Sequence, residues 1–184
     1  FGGSCFPKDL SSLVVQANDL NFDPLILNAT IKRNKEQKLV LGKKILQRYK
    51  DISGKLFSIW GLSFKPETDD IREAPSIELV NFLLKKGALI AAYDPMARTN
   101  FSKIFPENDQ ISYHDNFIDT LPGSDALIIM TEWKEFRNPD FSQIANLMNH
   151  PVIFDGRNTF SIEKINNLEI PSLEYHSIGR EPIA

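Results

Sequence analysis

The feature that most constrains the fold of this chain is an alternation of short apolar segments with helical patterns, beginning near residue 53. Four apolar segments have the length of buried strands, namely 55–60, 88–93, 125–130 and 151–154. Helical patterns lie between them, the clearest at residues 75–86, where Gly87 would form the C-terminal cap, and at 141–148. Residues 97–115 show no clear pattern. Because buried strands that alternate with helices are typical of parallel sheets, the sequence predicts a Rossmann-like α/β domain over residues 53–184.

Residues 1–52 have a helical pattern instead. Pro7 can open a first helix, and Asp23 and Pro24 have the types expected at the N-cap and first position of a second. The second helix has apolar positions at Leu27, Ile31, Leu39, Ile45 and Leu46. If unbroken over 24–49, it would be about 39 Å long. A helix of that length usually connects domains or packs against a partner chain, so its apolar positions favour self-association.

Charge and cysteine usage narrow the class of protein. The 184 residues include 21 basic and 24 acidic side chains, so a nucleic acid or an anionic membrane is a disfavoured partner. No apolar run approaches the roughly 18–20 residues that span a bilayer. A single cysteine excludes an internal disulfide and fits a reducing, cytoplasmic setting. Three scattered histidines lack metal-ligand spacing, so no metal site is expected.

The segment 1–9, Phe-Gly-Gly-Ser-Cys-Phe-Pro-Lys-Asp, contains the chain's only thiol. Cys5 comes just before a predicted helix N-terminus, and Lys8 follows three residues later. Both features favour a thiolate, and Gly2 and Gly3 would allow the backbone to approach a ligand closely. A lone cysteine is more often an inert core residue, however. The pattern by itself therefore leaves a structural and a reactive interpretation of Cys5 open.

Two further strings follow predicted strands. Residues 61–75, Gly-Leu-Ser-Phe-Lys-Pro-Glu-Thr-Asp-Asp-Ile-Arg-Glu-Ala-Pro, form a strand-to-helix loop of the kind that binds ligands in open α/β sheets. The string is not Gly-x-Gly-x-x-Gly, so it does not by itself indicate a dinucleotide, and a solvated charged loop is the alternative. Residues 155–158, Asp-Gly-Arg-Asn, could be a simple turn, but Arg157 has the donors that suit planar or anionic oxygen groups.

These strings together resemble the signature segments of nucleotide-sugar 6-dehydrogenases, the UDP-glucose/GDP-mannose dehydrogenase family. The string 130–136, Met-Thr-Glu-Trp-Lys-Glu-Phe, and the closing 175–180, Tyr-His-Ser-Ile-Gly-Arg, are more similar to the UDP-glucose branch. Without the resemblance, Trp133 would be interpreted as an aromatic that anchors a loop. The matched strings extend from residue 1 to residue 180, which is nearly the whole chain.

The resemblance implies roles for individual residues. Cys5 corresponds to the catalytic nucleophile, and Asp9 to a residue that positions or activates water. Lys8 and Arg72 correspond to contacts with the cofactor NAD. The sugar nucleotide would be bound by five residues, namely Phe1, Gly2, Phe64, Lys65 and Arg157.

The implied activity is the NAD-dependent four-electron oxidation of UDP-glucose to UDP-glucuronate, for polysaccharide biosynthesis, through a thiohemiacetal and a thioester on Cys5. Two alternatives stay open: GDP-mannose or an N-acetylated UDP-hexosamine as the substrate, or a non-catalytic sugar-nucleotide-binding module. The sequence lacks the family's N-terminal NAD-binding half, so we expect a C-terminal part that is inactive by itself. Residues 1–52 would form the central dimerisation segment and residues 53–184 the UDP-binding domain of a homodimer.

Overall fold

A computed structural model describes residues 1–183, and its centre is a six-stranded sheet. The strands are β1 (Leu56–Trp60), β2 (Leu89–Tyr93), β3 (Ile111–Tyr113), β4 (Ala126–Ile129), β5 (Val152–Asp155) and β6 (Glu174–Ser177). Their order across the sheet is β3-β2-β1-β4-β5-β6, and every neighbouring pair is parallel. The predicted parallel α/β fold of Rossmann-like type is therefore confirmed.

Helices cover both faces of the sheet. In chain order the α-helices of residues 1–183 are α1 (Phe6–Asp19), α2 (Leu25–Lys38), α3 (Val40–Tyr49), α4 (Pro75–Leu84), α5 (Arg98–Ile104), α6 (Phe141–Leu147) and α7 (Ile162–Asn166), and those from α3 onward contribute side chains to the cores on the two faces. Alternate strand residues enter different cores: Phe57 and Ile59 pack on the face covered by α3, α4 and α5, while Trp60 packs on the face covered by α6 and α7. The unassigned region 97–115 contains α5 and β3, and the sequence patterns also missed α7 and β6.

The prediction of one continuous helix over residues 24–49 is wrong at a single position. Leu39 leaves the helical conformation, with φ −101° and ψ 1°, and separates α2 from α3. The prediction of Asp23 as the N-cap is also wrong, because Pro24 is the N-cap and Leu25 the first helical residue of α2. The two helices have different surroundings, because α2 buries only Lys38 whereas α3 buries Leu41, Gly42 and Ile45. The difference arises because Leu41 and Ile45 of α3 enter the core that also contains Phe57 and Ile59 of the sheet, which helical periodicity alone does not describe.

Residues 1–26 carry most of the large apolar side chains that remain exposed. Within the described chain, eight of the ten are found there: Phe1, Phe6, Leu13, Val15, Leu20, Phe22, Leu25 and Ile26. We call the last six of these the α1–α2 apolar surface. Across residues 1–183, none of the helices has the length and apolar character that a bilayer span requires.

Candidate functional site

The candidate site lies at the carboxyl edge of the sheet, where the loops after β1, β4 and β5 meet. The strand order reverses between β1 and β4, and open α/β sheets bind ligands at such a switch point. Gly61 begins the β1 loop with φ +89°, and a Cβ there would lie 2.5 Å from Cβ of Thr131 in the β4 loop. The Thr131 hydroxyl also donates a hydrogen bond to the Ser63 carbonyl. Glycine is required at this point because the two loops are in direct contact.

Arg157 is held in place by a buried carboxylate at the end of β5. Asp155 is fully buried, and its Oδ1 accepts hydrogen bonds from the Arg157 main-chain N–H at 2.9 Å and from the Thr159 hydroxyl at 3.3 Å. Its Oδ2 accepts from the Tyr175 hydroxyl at 2.8 Å, and burial together with this carboxylate raises the pKa of Tyr175. The Asp-Gly-Arg-Asn string is therefore a turn that the hydrogen bonds of Asp155 hold in place. Asp155 is structural, and the Arg157 side chain projects from the edge of the sheet.

The Arg157 guanidinium connects the β5 loop to the other two loops. Its Nη2 donates a hydrogen bond to the Phe64 carbonyl, and its Nε lies 2.8 Å from Glu132 Oε2. The second contact is an ion pair without hydrogen-bond alignment, since both atoms are buried and lack an aligned partner. The structure thus brings the binding candidates Phe64 and Arg157 together, and it adds Glu132. In the sequence, Glu132 is recognisable only as part of the family string 130–136.

The segment before Cys5 lies directly against the β1 loop. The Gly3 N–H donates to the Arg72 carbonyl at 2.9 Å. A Cβ on Gly2 would lie 2.5 Å from the Glu73 carbonyl oxygen, and one on Gly3, whose φ is +82°, would lie 2.8 Å from the Phe64 ring. The glycines do permit a close backbone approach, but in this structure the approach is to the chain's own loop. They bring the Cys5 segment to the same edge as Phe64.

Two polar residues of α2 complete this contact, and the sequence analysis did not identify either of them. The Asn34 side chain accepts a hydrogen bond from the Phe1 main-chain nitrogen at 2.8 Å and donates one to the Phe1 carbonyl at 3.0 Å. The Lys38 ammonium is 2.6 Å from the Glu73 carboxylate, although the lysine side chain is only 5% exposed. Both residues line, with Phe1 and Arg157, a cleft of about 140 Å³. In the sequence they look like ordinary polar positions of a surface helix.

The candidate catalytic residues lie on the other side of this segment. Cys5 is exposed and occupies the N-cap position of α1, where its carbonyl accepts a hydrogen bond from the Asp9 N–H at 2.9 Å. The Lys8 ammonium is 3.3 Å from the Asp9 carboxylate, and both side chains are largely exposed. The predicted helix start near Pro7 is therefore observed, and the thiol faces solvent instead of the core.

Arg72 shares an open cleft of about 320 Å³ with Lys8 and Gly3. Its guanidinium makes two hydrogen bonds to Asp70, at 2.9 and 2.8 Å. This pairing raises the pKa of Arg72 and lowers the pKa of Asp70. Lys65 is also exposed, with its ammonium 5.4 Å from the centroid of the Phe64 ring. The two cofactor candidates thus lie at one cleft, and the binding candidates Phe1 and Arg157 lie at the other.

The β5 loop thus presents an arginine, and the β1 loop a lysine and an aromatic ring, at the switch point of a parallel sheet, where Rossmann-type folds bind their ligands. Residues 58–162 match the UDP binding domain of the UDP-glucose/GDP-mannose dehydrogenase family. The chain belongs to this family, as its signature strings predict.

The similarity to individual relatives extends beyond that domain. The chain is 39% identical over 184 residues to the UDP-glucose 6-dehydrogenase of Pseudomonas aeruginosa, an alignment that covers 98% of this chain and 40% of that protein. A solved UDP-glucose dehydrogenase of Pyrobaculum islandicum has a TM-score of 0.78 and 28% identity over 96% of this chain and 37% of its own. A UDP-D-ManNAc dehydrogenase of Pyrococcus horikoshii has a TM-score of 0.76 and 25% identity over 97% and 38%. The chain spans about 40% of the length of the curated relatives it matches.

Proposed function

We propose that this chain is the UDP-sugar-binding part of an NAD-dependent nucleotide-sugar 6-dehydrogenase whose substrate is UDP-glucose. The proposal is supported by family membership and by relatives whose names specify UDP-glucose. The structural observation that carries it is the convergence of Arg157, Phe64 and the Cys5 segment at one edge of the sheet. A nucleotide held by the first two would place its sugar toward the third.

The binding roles follow from what each side chain offers. Arg157 can donate to hydroxyl or phosphate oxygens, and its guanidinium is already oriented by the Phe64 carbonyl and Glu132. Lys65 presents an exposed ammonium, which suits a phosphate group. Phe64 is a half-buried aromatic, Phe1 lines the same cleft as Arg157, and a Cβ on Gly2 would lie 3.6 Å from the Cβ of Phe64. We therefore assign the sugar nucleotide to Phe1, Gly2, Phe64, Lys65 and Arg157.

Cys5 would serve the second of two oxidations at C6 of the sugar. The first oxidation converts the alcohol to an aldehyde, to which the Cys5 thiolate adds by forming a C–S bond, and protonation of the oxygen gives a thiohemiacetal. Loss of the C6 hydrogen as a hydride and of the hydroxyl proton leaves a thioester. Water then attacks the thioester, the C–S bond breaks, the thiolate is restored and the carboxylate is released. Asp9, one turn into α1 from Cys5, is our candidate to position or activate that water.

The residues of this chain fit NAD only in part. Lys8 and Arg72 are exposed cations at one cleft and could contact the cofactor. The β1 loop begins Gly61-Leu62-Ser63 and has no Gly-x-Gly-x-x-Gly string that could bind the pyrophosphate of NAD. The pyrophosphate would therefore have to be bound by another part of the enzyme. When bound, NAD would accept the two hydrides, one molecule for each oxidation.

We also propose that residues 1–52 form a dimerisation segment and residues 53–184 the UDP-binding domain. The support for the first unit is the exposed α1–α2 apolar surface. A second copy of the chain would cover it, as in the symmetric dimers that most homo-oligomers form.

Calorimetry with UDP-glucose tests the binding function. Arg157→Ala should weaken binding by about 1.5–3 kcal/mol, because it removes a charged hydrogen-bond donor, and Lys65→Ala should also weaken it. Arg48→Ala is the matched control: it breaks another arginine–carboxylate pair, with Glu174, at the amino end of β6. Unchanged affinity in both the Arg157 and Lys65 variants would contradict the proposal.

The same titrations discriminate the substrate alternatives. Binding of GDP-mannose or an N-acetylated UDP-hexosamine in preference to UDP-glucose would assign the chain to another branch of the family. A non-catalytic module would bind a sugar nucleotide, yet Cys5 would alkylate slowly and without protection by that ligand. Rapid alkylation of Cys5 that UDP-glucose suppresses is the result expected for a catalytic thiol.

A further inference from the structure

Asp94 is the most heavily hydrogen-bonded carboxylate of the site, and none of the assignments above uses it. It follows β2 directly and is 5% exposed. Its Oδ2 accepts from the Leu62 N–H at 2.6 Å, the Ser63 N–H at 3.1 Å, the Ser63 hydroxyl at 3.2 Å and Trp133 Nε1 at 3.1 Å. Its Oδ1 accepts from the main-chain N–H groups of Met96 and Ala97, at 2.9 and 2.7 Å. Six donors from three loops therefore meet at one buried carboxylate.

These contacts use the whole acceptor capacity of the group. A carboxylate has two oxygens with about four lone-pair sites, so six donors leave none for a ligand. Dinucleotide-binding Rossmann domains use an acidic side chain of this region to bind a ribose hydroxyl. In this chain the acidic side chain binds the protein's own loops instead. The β2 side of the switch point is thereby closed to that mode of binding, and the β4 and β5 side remains.

Two routes connect Asp94 to Arg157. In the first, Asp94 holds Leu62 and Ser63, the two residues immediately before Phe64, whose carbonyl accepts from Arg157 Nη2. In the second, Asp94 holds the indole of Trp133, which is 8% exposed and adjacent to Glu132. Glu132 in turn lies 2.8 Å from Arg157 Nε. Both groups that orient the Arg157 guanidinium therefore stand on loops that the Asp94 carboxylate fixes.

We infer that Asp94 is a positioning residue for sugar-nucleotide binding: it holds the β1 and β4 loops at the separation at which Phe64 and Glu132 orient Arg157. This inference rests on the proposed function of Arg157. Asp94 itself does not touch the nucleotide, because all its acceptor sites face the protein.

The test is calorimetry with UDP-glucose on the Asp94→Asn variant. An asparagine keeps the shape but presents an NH₂ group to one set of N–H donors, so one loop must move. We expect affinity to fall at least about tenfold, the effect of losing a charged hydrogen bond. The control is Asp125→Asn, because Asp125 also accepts a main-chain N–H, that of Leu56 at 3.0 Å, but before β4 at the opposite edge of the sheet. It should alter stability without altering affinity.

A milder variant keeps the test decisive if Asp94→Asn does not fold. Trp133→Phe retains a ring in the core and removes only the indole donor. The loss of affinity for UDP-glucose should therefore be smaller than in Asp94→Asn but larger than in the Asp125→Asn control. Wild-type affinity in Trp133→Phe, or in a folded Asp94→Asn, would overturn the inference. If the unmodified chain binds no sugar nucleotide, the proposed function fails instead. Amide hydrogen exchange then decides: unchanged protection of the Leu62 and Ser63 amides in Asp94→Asn would overturn the loop-holding role itself.

Discussion

At the scale of single residues, the position of Cys5 favours the reactive interpretation over the structural one. A structural cysteine is normally packed in a core, whereas Cys5 is exposed at the start of α1, beside the Ser4 hydroxyl at 3.7 Å. The catalytic role is still a prediction, and substitution tests it directly.

In an enzyme that contains this sequence together with an NAD-binding half, Cys5→Ser should stop formation of the uronate. A serine hydroxyl is largely protonated at neutral pH, so addition to the aldehyde and release of the resulting ester would both be slow. The measurement is the rate at which uronate forms from UDP-glucose. Ser4→Ala, which alters the neighbouring hydroxyl, is the control and should retain turnover. Uronate formation by Cys5→Ser at the unmodified rate would remove Cys5 from the mechanism.

At the scale of elements, the end of β1 depends on a glycine for two separate reasons. Gly61 has φ +89°, and its position leaves no room for a Cβ beside Thr131. Gly54, at the turn before β1, has φ +71° but no atom near the site of a Cβ. The two positions share the conformational requirement and differ only in packing.

This pair predicts a stability difference. Gly54→Ala should cost about 1–2 kcal/mol, the penalty for a left-handed conformation. Gly61→Ala should cost about 1–3 kcal/mol more, because the added Cβ overpacks the contact between the β1 and β4 loops. Denaturant unfolding of both variants measures the difference. Equal losses would show that the loops separate without cost, and the site geometry would then not depend on their contact.

The contact between β5, β6 and α3 contains a histidine that responds to pH. The His176 ring stacks on Phe154 with centroids 4.7 Å apart, and its side chain is only 12% exposed. Burial lowers the pKa of His176, and the positive charges of Lys44 and Arg48 act in the same direction, whereas Glu174 opposes them. In the folded protein the neutral ring is therefore favoured.

Stability should consequently fall as the pH is lowered through the range just below about 6.5, the pKa of an unfolded histidine. In that range the unfolded chain binds a proton that the folded chain does not, so the unfolded state gains free energy from acidification. The loss ends once the pH is below the folded pKa. His176→Gln should flatten this part of the curve of unfolding free energy against pH, while His150→Gln, at an exposed histidine, serves as the control. An unchanged slope in His176→Gln would contradict the prediction.

At the scale of the whole molecule, the distribution of exposed apolar groups is uneven. Outside residues 1–26, the large exposed apolar side chains in the described part of the chain are Met96 and Ile104. The exposed large apolar side chains are therefore concentrated on α1, α2 and their connection, with Ile26 81% and Leu25 70% exposed. An accumulation of exposed apolar side chains usually marks an interface.

We expect the chain to form a discrete dimer through the α1–α2 apolar surface. Leu25→Lys combined with Ile26→Lys should give a monomer, because two charges in the interface would lose their hydration on association. Met96→Lys, at an exposed apolar residue elsewhere, should leave the dimer intact. Light scattering at several concentrations measures the mass. A monomer at tens of micromolar, or irregular aggregates that change with concentration, would contradict a defined dimer.

The parallel α/β fold and the family could both be predicted from local patterns in the sequence. Apolar runs such as that of β1, and the proline that opens α4, are local signals, because each depends on residues close together in the chain. The predicted cap at Gly87 is wrong by two residues, since the C-cap of α4 is Lys85. The strings around Cys5, Phe64 and Arg157 are also local, and they identified the family. The short β3, with three residues, gave too few positions for a pattern, and leucine is a good helix former, so nothing local indicated the break at Leu39.

Which polar residues organise the site depends instead on contacts between distant parts of the chain. Lys38 lies 35 residues from its partner Glu73, Arg157 lies 93 residues from Phe64, and Asp94 lies 32 and 39 residues from Leu62 and Trp133. Nothing in the neighbourhood of each residue in the sequence indicates such a partner, since a polar side chain in a loop or on a helix is usually solvated. Their role arises because the fold buries them at one edge of the sheet, where a polar group must find a hydrogen-bond partner within the protein.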